Sequence, residues 1–158
     1  MQGPFSFLPG FLSRFGGILN ATFVDSDADY TVSGPAVVPG GGTVATVRNA
    51  TLFGLSKRAF NGTLYYEDAK FSARVSASYR SKYIDQNSGT GNIFEGYNST
   101  VNVDASVRYK LTDWIELSLE GINLTDDYRD RYTDLDANRN YEQLHFGRTI
   151  QLGARFKL

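Results

Sequence analysis

The chain of 158 residues contains no cysteine and only one histidine, His145. The absence of cysteine excludes a disulfide scaffold and a thiolate metal site, and it suits an oxidising compartment. With no cysteine and a single histidine, the sequence offers no evident pair of a nucleophile and a base. We therefore expect no catalytic site, no cofactor and no metal centre. Sixteen basic and 17 acidic residues give a net charge of −1, which argues against nucleic acid as a partner.

Long apolar runs are missing as well. No segment approaches the roughly 20 apolar residues that a transmembrane helix needs. The mean hydropathy of −0.31 is equally compatible with a transmembrane β-barrel, because only every second residue of such strands faces lipid. The opening MQGPFSFLPG has no basic region and no clean apolar region, so it does not resemble an export signal. We therefore expect either a cytoplasmic protein or a piece of a longer one.

Tyrosine, phenylalanine and glycine are abundant, with 10, 11 and 16 copies, and this composition favours strands over helices. Apolar residues alternate with other residues up to the C-terminus, where Ile150, Leu152, Ala154, Phe156 and Leu158 occupy every second position. A period of two predicts strands with one apolar face. Six strands are predicted, at about 14–26, 57–67, 69–84, 98–111, 113–124 and 147–158.

The connections between these strands alternate in length. Long segments, at about 26–56, 85–96 and 125–146, alternate with the tight turns EDAK and LTDW. Outer-membrane barrels have this pattern, with long loops outside and short turns on the periplasmic side. The apolar-face residues nearest the short turns are aromatic, as expected where lipid meets water. They are Tyr66, Phe71, Tyr109 and Phe156, with Trp114 beside them.

The predicted fold is therefore all-β: an antiparallel transmembrane β-barrel segment of about six meander strands. Single-chain barrels begin at about eight strands, so six would leave unpaired edges in lipid. The charged residues predicted on the opposite face need a watery lumen or a plug surface. They are Arg74, Arg80, Asp104, Arg108, Glu116, Glu120 and Arg155. We expect a fragment of a larger barrel, with Arg108 and Glu116 paired across their shared turn.

Three segments resemble the C-terminal part of TonB-dependent outer-membrane receptors, nearest to the branch typical of Xanthomonas and Caulobacter relatives. They are GLSKRAFNGTLYYEDAKFSARVSASYRSKYID, LTDWIELSLEGINLTDDYRDRYTD and GRTIQLGARFKL, and the resemblance runs from about Phe5 to Leu158. In that family a barrel of about 22 strands encloses an N-terminal plug. TonB couples the proton-motive force to active uptake of a siderophore, cobalamin or glycan.

The resemblance implies that residues 1–158 supply the last strands of such a receptor, without its plug domain or TonB box. The implied location is the bacterial outer membrane. The implied partners are the remaining strands and plug of the same receptor, TonB through the missing N-terminal part, and membrane lipid. The barrel insertion machinery is a further partner, through Ile150–Leu158.

The long segment before the last strand carries the candidate ligand-binding residues. Aromatic rings stack on ligand faces, and amides bind hydroxyl groups, so such residues on an outer loop suit sugar or chelate binding. They are Tyr128, Tyr132, Asp134, Asp136, Asn138, Tyr141 and His145. Ordinary solvated loop residues are the alternative interpretation, just as the charged face can serve only to solvate a lumen.

A second hypothesis treats the chain as a soluble, secreted β-rich ligand-binding module. The two hypotheses differ in what covers the apolar face of the strands. A β-sandwich buries that face against a second sheet, whereas a barrel exposes it to lipid. A calcium loop is not favoured in DLDANRN, because an EF-hand loop starting at Asp134 would need glycine at Arg139 and glutamate at His145.

Overall fold

The computed structural model describes residues 2–35, 42–86 and 94–157. Their regular elements are strands and one short 3₁₀ helix, Gly10–Arg14. The strands found there are β1 (Gln2–Pro4), β2 (Phe15–Phe23), β3 (Ala28–Pro35), β4 (Thr43–Ala50), β5 (Arg58–Glu67), β6 (Phe71–Arg80), β7 (Tyr83–Gln86), β8 (Glu95–Tyr97), β9 (Thr100–Lys110), β10 (Ile115–Ile122), β11 (Arg129–Thr133), β12 (Arg139–Leu144) and β13 (Thr149–Phe156). The prediction of an all-β, antiparallel fold is confirmed.

Seven strands form the main sheet, in the order β1-β2-β5-β6-β9-β10-β13. From β2 onward each strand of the main sheet pairs with the strand of that sheet that follows it in the chain, as predicted for a six-strand meander. The edge strand β1, which pairs Gln2 with Ile18, was not predicted from the sequence. Three residues, one of them a proline, are too few to display an alternation. Within the described residues the main sheet is open and forms no closed barrel.

The predicted strand at 69–84 is wrong in one respect, because the structure divides it into β6 and β7. Ser81 ends the pairing of β5 with β6 through two hydrogen bonds to one residue. Its N–H donates to the Arg58 carbonyl oxygen at 2.9 Å, and its hydroxyl accepts the Arg58 N–H at 3.0 Å. Beyond Ser81 the chain leaves the main sheet and enters another one.

The strand register places apolar residues opposite one another and polar residues opposite one another. Leu64 pairs with Val75, and Val75 with Ala105. Thr63 pairs with Ser76, and the two hydroxyl oxygens lie 3.1 Å apart. A shift of one residue would move every apolar side chain to the polar face, so the alternation excludes such a shift. The main sheet therefore has one apolar and one polar face.

The three long connections leave the same end of the main sheet, because its strands alternate in direction. The first contains the hairpin of β3 and β4. The second contributes β7 and β8, and the third contributes β11 and β12, to a four-stranded sheet in the order β12-β11-β8-β7. We call this the loop sheet. The opposite end of the main sheet carries the short turns, as the spacing of the strands predicted.

The hydrophobic core found in the described residues lies among these connections. Phe94 and Ile84 are 0% and 2% exposed, and they pack with Val32 and Ala50 of the first connection. Partly buried Tyr30 and Leu135 complete the cluster, so all three connections contribute to it. Burial of these side chains, at about 1.5–3 kcal/mol for each large one, holds the connections together.

The main sheet, in contrast, is a single layer. On its apolar face Leu119 is 49% exposed and Leu152 is 83% exposed. No helix in residues 2–35, 42–86 and 94–157 is long and apolar enough to cross a membrane.

Candidate functional site

The charged residues predicted to face a lumen do lie on one face of the main sheet. Register brings them together from four strands: Glu116 lies between Lys110 and Arg155, and Arg74 shares a row with Glu120. The full set is Arg74, Arg80, Asp104, Arg108, Glu116, Glu120 and Arg155, at alternate positions along β6, β9, β10 and β13. This face, the polar face, is therefore lined by both signs of charge.

The ion pairing predicted on this face is wrong in one detail. Arg108 pairs with Glu120, its Nη2 lying 3.8 Å from Oε1, rather than with Glu116. Register explains the difference, because Arg108 stands opposite Ser118 and Glu116 stands opposite Lys110. Arg108 is exposed and Glu120 half-buried, so the pair contributes little to stability, about 0–1 kcal/mol.

Arg80 and Asp104, at the loop end of the polar face, anchor the connections. Arg80 donates from Nε to the Ser56 hydroxyl at 2.6 Å and from Nη2 to the Gly54 carbonyl oxygen at 2.8 Å. Asp104 accepts the N–H of Asn123 at 2.9 Å. These two side chains serve the architecture and are not free to bind a ligand with those atoms.

The residues predicted to bind a ligand are dispersed by the fold. Tyr132 is fully buried: its hydroxyl donates to the Tyr83 carbonyl oxygen at 3.2 Å, and burial raises its pKa to about 12. Asp134 accepts the N–H groups of Asp136 and Ala137, both at 3.2 Å, and so shapes its own turn. Asn138 closes that turn by donating its backbone N–H to the Asp134 carbonyl oxygen at 2.8 Å.

The other predicted ligand residues have separate places. The Asp136 carboxylate pairs with Arg48 of β4, and the half-exposed ring of Tyr141 lies 5.2 Å from the Arg131 guanidinium. Tyr128 and His145 are adjacent and exposed, with ring centroids 6.2 Å apart in an edge-to-face arrangement. Of these two residues, Tyr128 lines an open cavity.

The segment Asn-Leu-Thr-Asp-Asp after β10 builds one wall of that cavity. Asn123 and Asp126 have left-handed backbone conformations, with φ of 54° and 59°, which asparagine and aspartate adopt more readily than most residues. Asn123 Nδ2 donates to the carbonyl oxygens of Asp127 at 2.9 Å and Gly147 at 3.1 Å, and its Oδ1 accepts the Asp127 N–H at 2.9 Å. The Thr125 hydroxyl donates to the Val101 carbonyl oxygen at 2.7 Å, which docks the segment on β9.

The connection from β12 to β13 is fixed against the same segment by a hydrogen bond and an ion pair. Asp126 lies 3.0 Å from His145 Nε2 through one carboxylate oxygen and 3.7 Å from Arg148 Nη2 through the other. His145 and Arg148 flank Phe146, whose ring is 72% exposed. The contacts thus hold an exposed phenylalanine at the rim of the cavity.

The cavity has a volume of about 230 Å³ and opens at the loop end of the polar face. It is lined by Thr100, Asn102, Asn123, Asp127, Tyr128, Arg129 and Phe146. Two of these, Thr100 and Asn102, extend the polar face of β9, and the others come from the third long connection. We call it the rim cavity.

A row of guanidinium groups and tyrosine rings leads to the rim cavity across the loop sheet. The Arg80 guanidinium lies 3.7 Å from the Tyr83 ring centroid, Tyr83 stacks on Tyr97 at 5.2 Å, and the Arg129 guanidinium lies 4.6 Å from the Tyr97 ring. Arg131 is largely buried, and it pairs with Glu95 at 3.6 Å and Glu142 at 3.4 Å. The row therefore holds Arg129 in place while its neighbour Arg131 is neutralised.

Of the residues that line the rim cavity, the sequence argument named only Tyr128 and missed Thr100, Asn102, Asn123, Asp127, Arg129 and Phe146. Thr100 and Asn102 follow an ordinary strand alternation, and Arg129 and Phe146 stand 17 positions apart in a long connection. Only the pairing of β9 with β10 and of β10 with β13 brings them together. Among residues 2–35, 42–86 and 94–157, no group of three or more acidic or histidine side chains could hold a metal ion.

Comparison of the chain with protein families, with curated proteins and with solved structures finds no match.

Proposed function

We propose that this chain forms part of the wall and the outer loops of a TonB-dependent receptor in a bacterial outer membrane. The observation that carries the proposal is the exposed apolar face of a single-layered antiparallel sheet. Contiguous exposed apolar surfaces on this scale mark membrane or protein contacts. Lipid is the partner that suits a face made of alternating strand residues on which the one charge among the described strands, Arg58, lies at the loop end beside Phe23.

Two rows of aromatic side chains border that face and support the membrane assignment. The row at the turn end includes Phe15, Tyr66 and Phe71, with ring centroids 5.0 and 5.9 Å apart. The row at the loop end includes Phe23, Phe60 and Tyr79, with centroids 5.3 and 5.8 Å apart. Phe60 and Tyr66 are six residues apart in β5, which is about 20 Å along a strand. Outer-membrane barrels have an apolar band about 25 Å tall between such girdles.

The opposite face and the loops fit the same assignment. A charged, hydrogen-bonding face suits the lumen of a large barrel or the surface of a plug, and the long connections gather at the end that would face outward. The resemblance of NLTDDYRDRY and GRTIQLGARFKL to the receptor family supports the choice of a TonB-dependent receptor over other barrels. Leu158, the last residue of the proposed insertion signal, lies outside the described residues.

The alternative of a soluble β-rich module lacks a supporting observation. It requires a second layer over the apolar face, yet Leu117 is 39% and Leu119 is 49% exposed. Within the described residues, the buried cluster formed by the long connections contains no residue of the main sheet.

Membrane placement is tested by a pair of lysine substitutions at neighbouring positions on opposite faces of β10. Leu119→Lys puts a charge on the apolar face and is expected to cost about 2–4 kcal/mol near the bilayer midplane. Ser118→Lys puts the same charge on the polar face and serves as the control. In outer membranes of cells producing the protein, we expect folded protein to fall with Leu119→Lys and to persist with Ser118→Lys. Equal levels of the two variants would contradict the membrane assignment.

The receptor assignment is tested by an antibody against residues 126–141 on membranes of the source cells. A heat-modifiable outer-membrane band several times heavier than 17.5 kDa is expected, since a receptor needs its plug and remaining strands. A band of about 17.5 kDa in the soluble fraction would overturn the proposal.

A further inference from the structure

The rim cavity combines three kinds of group: polar side chains without a hydrogen bond in the described residues, exposed aromatic rings and an arginine without an acidic partner among those residues. Its volume of about 230 Å³ lies below the roughly 300–1,000 Å³ of pockets for drug-sized ligands. It therefore suits a single ring of a small molecule rather than an extended chain.

The floor of the cavity offers unused hydrogen-bonding capacity. The side chains of Thr100 and Asn102 make no hydrogen bond within the described residues. The carboxylate of Asp127 and the amide of Asn123, in contrast, are occupied by backbone partners. A hydroxyl and a free amide, which can both donate and accept, match the ring hydroxyls of a sugar.

The walls offer two aromatic surfaces. Phe146 is 72% exposed and Tyr128 is 43% exposed, and the contacts of Asp126 with His145 and Arg148 hold the segment that carries Phe146. Large exposed rings that are not buried in a core are available to stack on the C–H face of a pyranose, and the contacts beside Phe146 limit its motion.

Arg129 supplies the charge. One of its Nη atoms bonds the Tyr97 hydroxyl, and its guanidinium lies over the Tyr97 ring, which fixes its orientation. It forms no ion pair with a carboxylate of the described residues. A guanidinium held in this way has N–H groups left for a carboxylate, which arginine binds through two parallel hydrogen bonds.

We propose that the rim cavity binds one pyranose ring that carries a carboxylate, a hexuronate. Thr100 and Asn102 bind the ring hydroxyls, Phe146 and Tyr128 stack on the ring, and Arg129 binds the carboxylate. The inference deepens the proposed receptor function by naming the class of its ligand. It concerns a cavity built from the long connections and the end of β9, so it is testable whether or not the chain lies in a membrane.

The test measures binding of D-galacturonate, D-galactose and benzoate to the full chain in detergent, by saturation-transfer NMR and calorimetry. We expect D-galacturonate to bind at least about tenfold more tightly than the other two, since neither the hydroxyls nor the charge alone satisfies the site. Equal binding of galactose and galacturonate, equal binding of benzoate, or no binding of any of the three would overturn the proposal.

Variants locate the binding. Asn102→Ala and Phe146→Ala are each expected to weaken galacturonate binding about tenfold or more. Their matched controls, Asn61→Ala on the polar face of β5 and Phe7→Ala at an 80% exposed position, leave it unchanged. Arg129→Gln is expected to abolish the preference for galacturonate over galactose. Binding that survives both Asn102→Ala and Phe146→Ala would place the ligand elsewhere and refute the site.

The two proposals fail separately. Galacturonate binding in detergent together with insensitivity to Leu119→Lys would leave the cavity in place and remove the membrane receptor. Outer-membrane location without galacturonate binding would leave the membrane receptor in place and remove the hexuronate site.

Discussion

The side chain of Asn123 donates a hydrogen bond to the carbonyl oxygen of Gly147 at 3.1 Å, and so joins the end of β10 to the residue that leads into β13. The same amide bonds both backbone groups of Asp127. Gly147 has a left-handed backbone with φ of 74°, and Asn123 has one with φ of 54°. Two turns with left-handed residues thus meet at one asparagine, next to Phe146, which lines the rim cavity.

Substitution of Asn123 should separate the loss of its side-chain bonds from the strain of its backbone. Asn123→Gly keeps the left-handed conformation and removes four side-chain hydrogen bonds, so we expect a loss of about 2 kcal/mol in the free energy of unfolding. Asn123→Ala should cost about 1 kcal/mol more, because alanine resists a positive φ. Denaturant unfolding of the three proteins measures both differences. Wild-type stability in Asn123→Gly would mean that the side-chain bonds contribute nothing.

Gly96 is predicted to be essential for the loop sheet. A Cβ atom there would lie 2.1 Å from the Tyr83 carbonyl oxygen and 2.6 Å from the Tyr132 hydroxyl. Gly96→Ala should therefore push β7 and β11 away from β8, at a cost of about 1–3 kcal/mol. Hydrogen exchange should show lost protection in those three strands and unchanged protection in β5 and β6.

Gly42→Ala is the matched control for this experiment, since nothing lies within 4 Å of the added Cβ atom. It should leave protection unchanged throughout. Equal effects of the two substitutions would show that the close approach at Gly96 is not what holds the loop sheet together.

The tight turn between β5 and β6 should confer acid sensitivity. The Asp68 carboxylate accepts the N–H groups of Lys70 at 2.9 Å and Phe71 at 2.8 Å and the hydroxyl of Tyr66 at 2.8 Å, and these bonds lower its pKa to about 2. A depressed carboxyl pKa contributes stability that is complete above the ordinary value of 3.8 and is lost as the pH falls towards 2. The melting temperature of the wild type should therefore decline between about pH 4 and pH 2. Asp68→Asn should remove the part of that decline that comes from protonation of Asp68.

The other tight turn supplies an internal comparison. There the neutral hydroxyl of Thr112 accepts the N–H groups of Trp114 at 3.3 Å and Ile115 at 3.0 Å. Asp113→Asn, in that turn, should leave the decline between pH 4 and pH 2 as in the wild type. An identical flattening by Asp113→Asn would mean that the acid sensitivity does not arise at Asp68.

Trp114 is a natural probe of membrane depth, because the chain has no other tryptophan. It is 57% exposed beside the aromatic row at the turn end of the main sheet. In vesicles we expect its fluorescence to be quenched more by bromines near the carbonyl end of the acyl chains than by bromines near the methyl end. Leu119→Trp in a Trp114→Phe background should show the reverse order. The same order for both positions would contradict the proposed membrane orientation.

Much of the main sheet was predictable because a strand pattern is local. The alternation in KFSARVSASYR and TVNVDASVRYK predicts both strands and which of their residues share a face, and the observed register pairs Val75 with Ala105 on the apolar face. Pairing of Arg108 was mispredicted because nearness to a shared turn suggested Glu116, whereas the register aligns Arg108 with Ser118 and leaves Glu120 within reach.

The candidate site was predictable only in part. Tyr132 looks like an exposed ligand residue in a polar loop, but the loop sheet pairs it with Gly96 and buries it completely. Arg129 and Asn102 carry no local signal of function. Their roles depend on long-range pairing that no alternation encodes.

The sequence by itself determined six amphipathic strands, their antiparallel order and the gathering of the long connections at one end, because strand periodicity and connection length are properties of neighbouring residues. Only the tertiary structure decided that those connections form a second sheet with a buried core, and that Phe146 meets Arg129 and Asn102 at one cavity. The physical reason is that the alternation within a strand shows which of its own residues share a face, but not which other segment packs against that face. The packing of one connection on another depends on side chains brought together from distant parts of the chain.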